Sequence, residues 1–255
     1  MHQPSRRAYY FLAMIFTLIF VGAAILAGGI ASVAGFGIGS IMTPTLAAKL
    51  GTKLAVAAVS IPHLAGTAFR FALIRQHVNK RVLLGFGIAS AIGGLAGALL
   101  HTRFSSAVLS YVLGALLVFA GLTGIIGLAS RMRFGGISAW LAGAASGIFG
   151  GLVGNQGGIR SAALLGFDLE KESFVATATA IALMVDAARM PVYFATEAHD
   201  LARVWQYLVL GTVGVLVGTI AGQRLLRRIP EHIFRRIVAL IILALGLALL
   251  IHPNP

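Results

Sequence analysis

The chain has 255 residues, of which 58% are hydrophobic and only 11% are charged. Soluble domains carry about 25% charged residues, and one of this size has too little interior to hide so many apolar side chains. The composition therefore excludes an ordinary soluble domain and predicts an integral membrane protein.

A net charge of +13 would suggest nucleic-acid binding in a soluble chain. Here most Lys and Arg lie in short gaps between apolar runs, where they bind lipid headgroups, so we expect the lipid bilayer as partner and no nucleic acid.

Apolar runs long enough to cross a bilayer, about 20 residues each, recur along the chain. The predicted spans are 8–26, 54–74, 82–100, 107–129, 137–153, 174–195, 204–225 and 233–251. The first follows Arg6 and Arg7 as a signal peptide would, but its apolar stretch is too long and has no convincing cleavage site. We therefore predict an all-α, polytopic bundle of about eight transmembrane helices.

Two further stretches, 28–50 and 154–166, do not fit as ordinary spans. Both follow a strong helix and are apolar, but clustered glycines or Pro44 interrupt them. Such interruptions release backbone N–H and C=O groups that lipid cannot satisfy, so they must face protein or a wet cavity. We predict a broken or re-entrant Gly-rich segment in each half of the chain.

The second half of the chain repeats the plan of the first. A shift of 119 positions aligns Gly35 with Gly154, Gly39 with Gly158, Leu46 with Leu165, Leu50 with Leu169, Val56 with Val175, Ala57 with Ala176, Leu64 with Leu183, Ala68 with Ala187 and Arg70 with Arg189. Chance can supply apolar identities, but paired glycines at equal spacing favour duplication. We predict two transmembrane repeats, residues 1–130 and 131–255. The distribution of Lys and Arg leaves open whether they are parallel or inverted.

The two breaks carry the strongest local signal for a binding site. Glycine lets backbone approach a ligand, and a helix that begins after a break points free N–H groups and its positive dipole end at an anion. The predicted substrate-binding residues here are Gly35, Gly37, Gly39, Gly154, Asn155, Gln156, Gly157 and Gly158. The alternative is that the glycines serve close helix packing, as we expect of Gly93 with Gly97 and of Gly214 with Gly218.

Arg160 lies six residues into the second break, in otherwise apolar sequence. A charge at the bilayer centre costs about 2.5 to 3.5 kcal/mol on insertion scales unless it is paired or hydrated. We therefore expect Arg160 beside an anionic substrate. The alternative is an interfacial Arg whose side chain reaches the headgroups.

Arg70 and Arg189 lie toward the ends of their helices, and Asp186 precedes Arg189 by one turn. An acid and a base at i and i+3 share a helix face and can neutralise each other. The functional alternative has Asp186 taking up a proton during transport while both arginines draw the anion inward.

Three other polar residues lie within predicted spans. Ser60 and Thr179, related by the same shift, could donate hydroxyl hydrogen bonds to a substrate, although such residues commonly bond their own backbone. His63 follows Pro62 in mid-span. A lone His there is more often a hydrogen-bonded packing residue than a proton relay.

The sequence offers no arrangement typical of an enzyme. The His residues lack metal-ligand spacing, no Ser/His/Asp set is identifiable, and the first glycine cluster lacks the strand of a dinucleotide site. We expect neither an enzyme nor a bound cofactor or metal.

Taken together, these motifs resemble those of the sulfite exporter TauE/SafE family of membrane permeases. The resemblance rests on the first break with Pro44 and Leu46, the helix from Ser60 to Phe69-Arg70, the loop His77-Val78-Asn79, the glycine-spaced helix after it and the duplicated plan. It covers nearly the whole chain. The resemblance implies a multi-pass inner-membrane protein that moves sulfite, sulfonates or related organic anions.

The leading hypothesis is thus a secondary transporter of small anions with its site between the two halves. The competing hypothesis is a membrane scaffold or assembly factor that transports nothing. In that case Arg160 and the glycines should tolerate substitution.

Overall fold

The computed structural model describes residues 6–127, 136–225 and 230–253, and every regular element in them is helical. The longer helices are α1 (Arg6–Ala34), α2 (Ile38–Leu50), α3 (Thr52–Ile74), α5 (Ile88–His101), α6 (Ser106–Ile125), α7 (Ile137–Val153), α8 (Gly157–Leu164), α9 (Lys171–Arg203), α10 (Trp205–Leu225) and α11 (Glu231–Ile251). A short α4 (Lys80–Val82) continues through a π-helical turn (Leu83–Gly87) into α5. Short 3-10 turns follow α3 and α8.

The predicted all-α bundle of membrane-spanning helices is confirmed. Seven helices of the described chain are long and apolar enough to cross a membrane. Each coincides with a predicted span, and the remaining predicted span is α7, which is shorter at 17 residues. The end of the predicted span 107–129 lies outside the described residues. α7 is short because the second break follows it at once.

The breaks are shorter than the sequence suggested. α1 runs without interruption through Gly28 to Ala34, so the first break is only residues 35–37. Pro44 does not interrupt the chain, because it lies inside α2. The second break is residues 154–156. After it, α8 and a 3-10 turn replace the expected irregular stretch.

Neither short helix can cross a bilayer. α2 has 13 residues and α8 has 8, which at 1.5 Å per residue gives lengths of about 20 and 12 Å. The hydrocarbon core is about 30 Å thick. Each helix therefore begins at a break and covers only part of the bilayer thickness, as the prediction of re-entrant segments requires.

The helix boundaries follow the spacing of the sequence repeat. Three pairs of boundaries are each separated by 119 positions: the ends of α1 and α7 at Ala34 and Val153, the starts of α2 and α8 at Ile38 and Gly157, and the starts of α3 and α9 at Thr52 and Lys171. The repeat boundary itself, at residue 130, lies outside the described residues. The division into repeats 1–130 and 131–255 remains a proposal.

The N-terminal helices α1–α6 and the C-terminal helices α7–α11 interlock. α1 packs mainly against α10, and α7 packs mainly against α5. The last helices of the two sets, α6 and α11, pack against each other, and α3 of the first set packs against α9 of the second. The first helix of each set is therefore held by the other set.

Glycines allow these helices to approach closely. A Cβ added at Gly93 or Gly97 of α5 would collide with the backbone of α7, and one added at Gly218 of α10 would collide with that of α1. At Gly214 an added Cβ would lie 2.8 Å from the Cβ of Ala24. The prediction that these four glycines serve helix packing is confirmed, and the close contacts are those expected where lipid gives no hydrophobic drive to association.

Candidate functional site

The two breaks lie against each other inside the bundle. Ser40 in the first turn of α2 donates to Oδ1 of Asn155 in the second break, at 3.1 Å. Nη2 of Arg160 donates to the carbonyl of Gly35 in the first break, at 3.2 Å. Because residues more than 100 positions apart meet here, the site belongs to both halves of the chain.

Left-handed glycines end the helices that lead into the breaks. Gly35 has φ 78° and Gly154 has φ 71°. Their N–H groups bond to Ala31 and Gly150, at 3.0 and 3.1 Å. This positive-φ termination is the usual one for a helix and favours glycine.

The predicted arginine pair caps these two helix ends in the same way. Arg70 donates through Nη1 to the carbonyl of Ala31 at 2.9 Å, and Arg189 donates through Nη1 to the carbonyl of Gly150 at 2.7 Å. Both arginines are 2% exposed. A cation at the negative end of a helix dipole is favourable, so each Arg stabilises the end of a broken helix.

Two aromatic residues complete the cap on α7. The hydroxyl of Tyr193 donates to the carbonyl of Gly151, and Nδ1 of His101 donates to the carbonyl of Leu152 at 2.8 Å. The rings of Tyr193 and His101 meet edge to face. With Arg189 on Gly150, these side chains satisfy three successive carbonyls at the end of α7, which lipid could not do.

A small cavity lies between the first turns of α2 and α8. It is lined by Phe36, Gly37, Gly39, Ser40, His63, Gly154, Asn155, Gln156, Gly157 and Arg160. Its cavity volume is about 10 Å³, which is room for about one water molecule. Both helices start at this cavity, with their first intrahelical N–H donors at Ile41 and Arg160. The backbone N–H groups that precede Ile41 in α2 and Arg160 in α8 have no acceptor within their own helix.

Two residues that line this cavity carry unpaired polar groups. Arg160 is 2% exposed, yet its Nε and Nη1 have no hydrogen-bond partner, and neither does the side-chain amide of Gln156. None of the ion pairs among the described residues includes Arg160. A buried donor that is left unpaired costs about 1–3 kcal/mol, and more if it is charged, so this arrangement favours a bound acceptor.

A buried acid lies on the other side of His63. Asp186 is fully buried; Oδ1 accepts from Nε of Arg189 at 3.0 Å, and Oδ2 lies 2.7 Å from Nδ1 of His63. The i, i+3 ion pair predicted between Asp186 and Arg189 is therefore confirmed. His63 is hydrogen-bonded as expected, and it also lines the cavity.

The buried charges do not balance. Apart from histidine, the buried side chains that carry a charge, among the described residues, are Arg70, Arg160, Arg189 and Asp186. Asp186 neutralises Arg189, and the dipole of α1 offsets part of the charge of Arg70. Arg160 is left as a positive charge at the cavity, so electrostatics favours an anion there.

Comparison with known proteins identifies the family of the chain. A model of the sulfite exporter TauE/SafE family matches residues 20–249. The chain belongs to this family. Membership identifies a multi-pass membrane transporter of sulfur-related anions, and it places the TauE/SafE chain among permeases rather than enzymes. Comparison with curated proteins and with solved structures gave no significant match.

The structure gathers about half of the predicted site residues around the cavity of the TauE/SafE chain. Those that line it are Gly37, Gly39, Gly154, Asn155, Gln156, Gly157 and Arg160. Gly35 lies beside it and accepts from Arg160. The reading of Arg160 as an interfacial residue is wrong, because its side chain is buried.

The remaining predicted site residues do not line the cavity. Gly158 instead faces α6, where an added Cβ would lie 3.4 Å from the Cβ of Ala120. Ser60 donates to Ala57 in its own helix, and Thr179 donates to Val175 in its own helix while accepting from Nε of Arg70. The backbone-bonding alternative for these two hydroxyls is confirmed, and a substrate contact for them, for Arg70 or for Arg189 stays a prediction.

Sequence reasoning did not select Phe36, Ser40 or His63 as site residues of this permease. Phe36 and Ser40 lie within and just after the first break, so their position in the glycine cluster was a usable signal. His63 lies in α3, and the packing of this helix places it at the cavity. No local sequence pattern connects it with residues 154–160.

Proposed function

We propose that this TauE/SafE protein is a secondary transporter of small sulfur oxyanions, sulfite or a sulfonate, in the inner cell membrane. The anion lies between the first turns of α2 and α8. Arg160 and the amide of Gln156 donate to its oxygens, together with free backbone N–H groups. The observation that carries the proposal is the buried guanidinium of Arg160, whose Nε and Nη1 have no hydrogen-bond partner, at the meeting of the two breaks.

Each feature of the cavity matches the chemistry of such an anion. A sulfur oxyanion presents several acceptor oxygens and no apolar surface of consequence on its head group. The cavity offers charged and neutral donors, and charge-assisted hydrogen bonds are the stronger ones. Two helix starts add positive dipole ends without the cost of burying further charges.

The cavity is too small for the substrate in this conformation. With room for about one water molecule, it must widen to admit a sulfur oxyanion. The structure therefore corresponds to a closed state of the proposed cycle, in which the helix sets move relative to each other to open the site to either side.

Flux through reconstituted vesicles tests this proposal. We expect purified wild-type protein in proteoliposomes to move labelled sulfite or a sulfonate. Arg160→Ala should reduce this flux about 10- to 100-fold, because a hydrogen bond to a charged group contributes about 1.5–3 kcal/mol. Arg160→Lys should be intermediate, since it keeps the charge and loses the planar donor set.

The matched control is Arg81→Ala, which removes an exposed Arg and should leave flux unchanged. Absence of flux for every anion tested would contradict transport. Wild-type flux in Arg160→Ala would contradict the site. A protein that moves no anion while Arg160 and the glycines tolerate substitution would support the scaffold alternative.

A further inference from the structure

His63 is the lining residue of the cavity whose side chain can gain and lose a proton. Histidine is the side chain whose ordinary pKa lies near neutral pH, whereas a guanidinium stays protonated. The other lining side chains are uncharged, apart from Arg160. A transporter that couples anion movement to protons needs a titratable group in contact with the anion, and this cavity places one there.

The bond to Asp186 determines which ring nitrogen is available. Nδ1 of His63 lies 2.7 Å from Oδ2 of Asp186, and the other carboxylate oxygen accepts from Arg189. An ionised carboxylate can only accept, so Nδ1 carries the hydrogen of this bond and Nε2 keeps the free lone pair. The ring nitrogens lie on different sides of the imidazole, so Nε2 is turned away from Asp186.

We propose that His63 is the proton-binding site of this transporter. The inference rests on the proposed function and names its coupling ion. Nε2 takes a proton from water on the side where the anion enters, the ring becomes an imidazolium beside the anion, and the proton leaves with the anion on the other side. Asp186, the proton acceptor that the sequence suggested, instead stays the fixed hydrogen-bond partner of Nδ1.

The charges around His63 make the two binding events cooperative. Asp186 and Arg189 face it from α9, and Arg160 faces it from α8. The neighbours from α2 and from the second break are uncharged: Ser40, Asn155 and Gln156. Arg160 opposes a second positive charge while the cavity is empty, and a bound anion removes that opposition. By linkage, a proton on His63 must then strengthen anion binding by the same factor.

The test measures protons and anions together in proteoliposomes that contain a pH-sensitive dye. Methanesulfonate is the probe, because its charge does not change between about pH 6 and pH 8, the range in which histidine titrates. We expect wild-type protein to move about one proton per anion, since one ring nitrogen titrates. Uptake should rise as the external pH falls. In His63→Asn, an amide N–H can replace Nδ1 toward Asp186, but no titratable nitrogen remains.

His63→Asn should lower the proton-to-anion ratio to near zero and flatten the pH profile. His77→Asn, which makes the same change at an exposed position, should keep both. The inference is overturned if His63→Asn keeps the wild-type proton-to-anion ratio. It is also overturned if Asp186→Asn loses this ratio while His63→Asn keeps it. Wild-type flux of methanesulfonate without protons, or with a flat pH profile, overturns it while leaving transport intact. If wild-type protein moves neither sulfite nor methanesulfonate, it is the proposed function that fails.

Discussion

The three buried arginines differ in where their donors go. Arg70 and Arg189 each donate through Nη1 to a helix-end carbonyl. Through Nε, Arg70 donates to Thr179 and Arg189 donates to Asp186. Arg160 gives one donor to a carbonyl and keeps two unpaired. The same residue type therefore holds the scaffold at two positions and leaves donors without a partner at the third.

Removing Arg189 should destabilise the fold. Arg189→Met uncaps the carbonyl of Gly150 and leaves Asp186 with His63 as its remaining partner, and breaking a buried pair in this way costs about 3–5 kcal/mol. We expect a clearly lower Tm in detergent, with partial recovery in Arg189→Lys.

Arg203→Met is the matched control for this experiment. Arg203 also pairs at i, i+3 within α9, with Asp200 at 3.6 Å, but both side chains are largely exposed. Exposed pairs contribute about 0–1 kcal/mol, so the Tm should hardly change. Equal losses in Arg189→Met and Arg203→Met would contradict the capping role.

The starts of α2 and α8 are in contact through their smallest residues. A Cβ at Gly39 would collide with the carbonyl oxygen of Gly154, and a Cβ at Gly157 would collide with the Cβ of Phe36. Glycine is required at these positions because the two breaks touch, and this contact brings the free N–H groups of both helices to one cavity.

Gly39→Ala should therefore force the two breaks apart. We expect transport to fall at least about tenfold and the Tm to drop, since overpacking costs about 1–3 kcal/mol or more. Gly22→Ala in α1 serves as control, because nothing lies within 4 Å of its added Cβ and the site is exposed. Initial rates in vesicles and thermal unfolding measure both effects. Full activity of Gly39→Ala would contradict the close contact of the breaks.

The interlocked packing makes the molecule one unit in spite of its repeated plan. α1 packs on α10 and α7 packs on α5, so neither helix set can bury its first helix alone. Motion between the sets must keep these glycine-lined contacts or slide along them, and α3 and α9, which carry His63 and Asp186, lie where the sets meet.

Separating the chain at the predicted repeat boundary tests this arrangement. Fragments 1–130 and 131–255 expressed alone should aggregate or be degraded, because each lacks the partner of its first helix. Expressed together, they should copurify and restore part of the wild-type transport, with the intact chain as control. A monodisperse, stable fragment by size-exclusion chromatography would show that the halves fold as independent domains.

The sequence by itself established that the chain lies in lipid, where the membrane-spanning helices lie, and that each half contains a glycine-rich break; the breaks themselves are shorter than predicted. Lipid leaves a backbone no alternative to helix over apolar runs, so the spans can be read locally. The glycine clusters at 35–39 and 154–158 marked the two breaks, because glycine readily adopts the positive φ found at Gly35 and Gly154. Arg160 was selected for the same reason, since a charge in apolar sequence needs a partner. Only the tertiary structure decided which groups meet. Gly35 with Arg160 and His63 with Asp186 are pairs more than 100 positions apart, and helix packing, which leaves no local signal in the chain, brings them together.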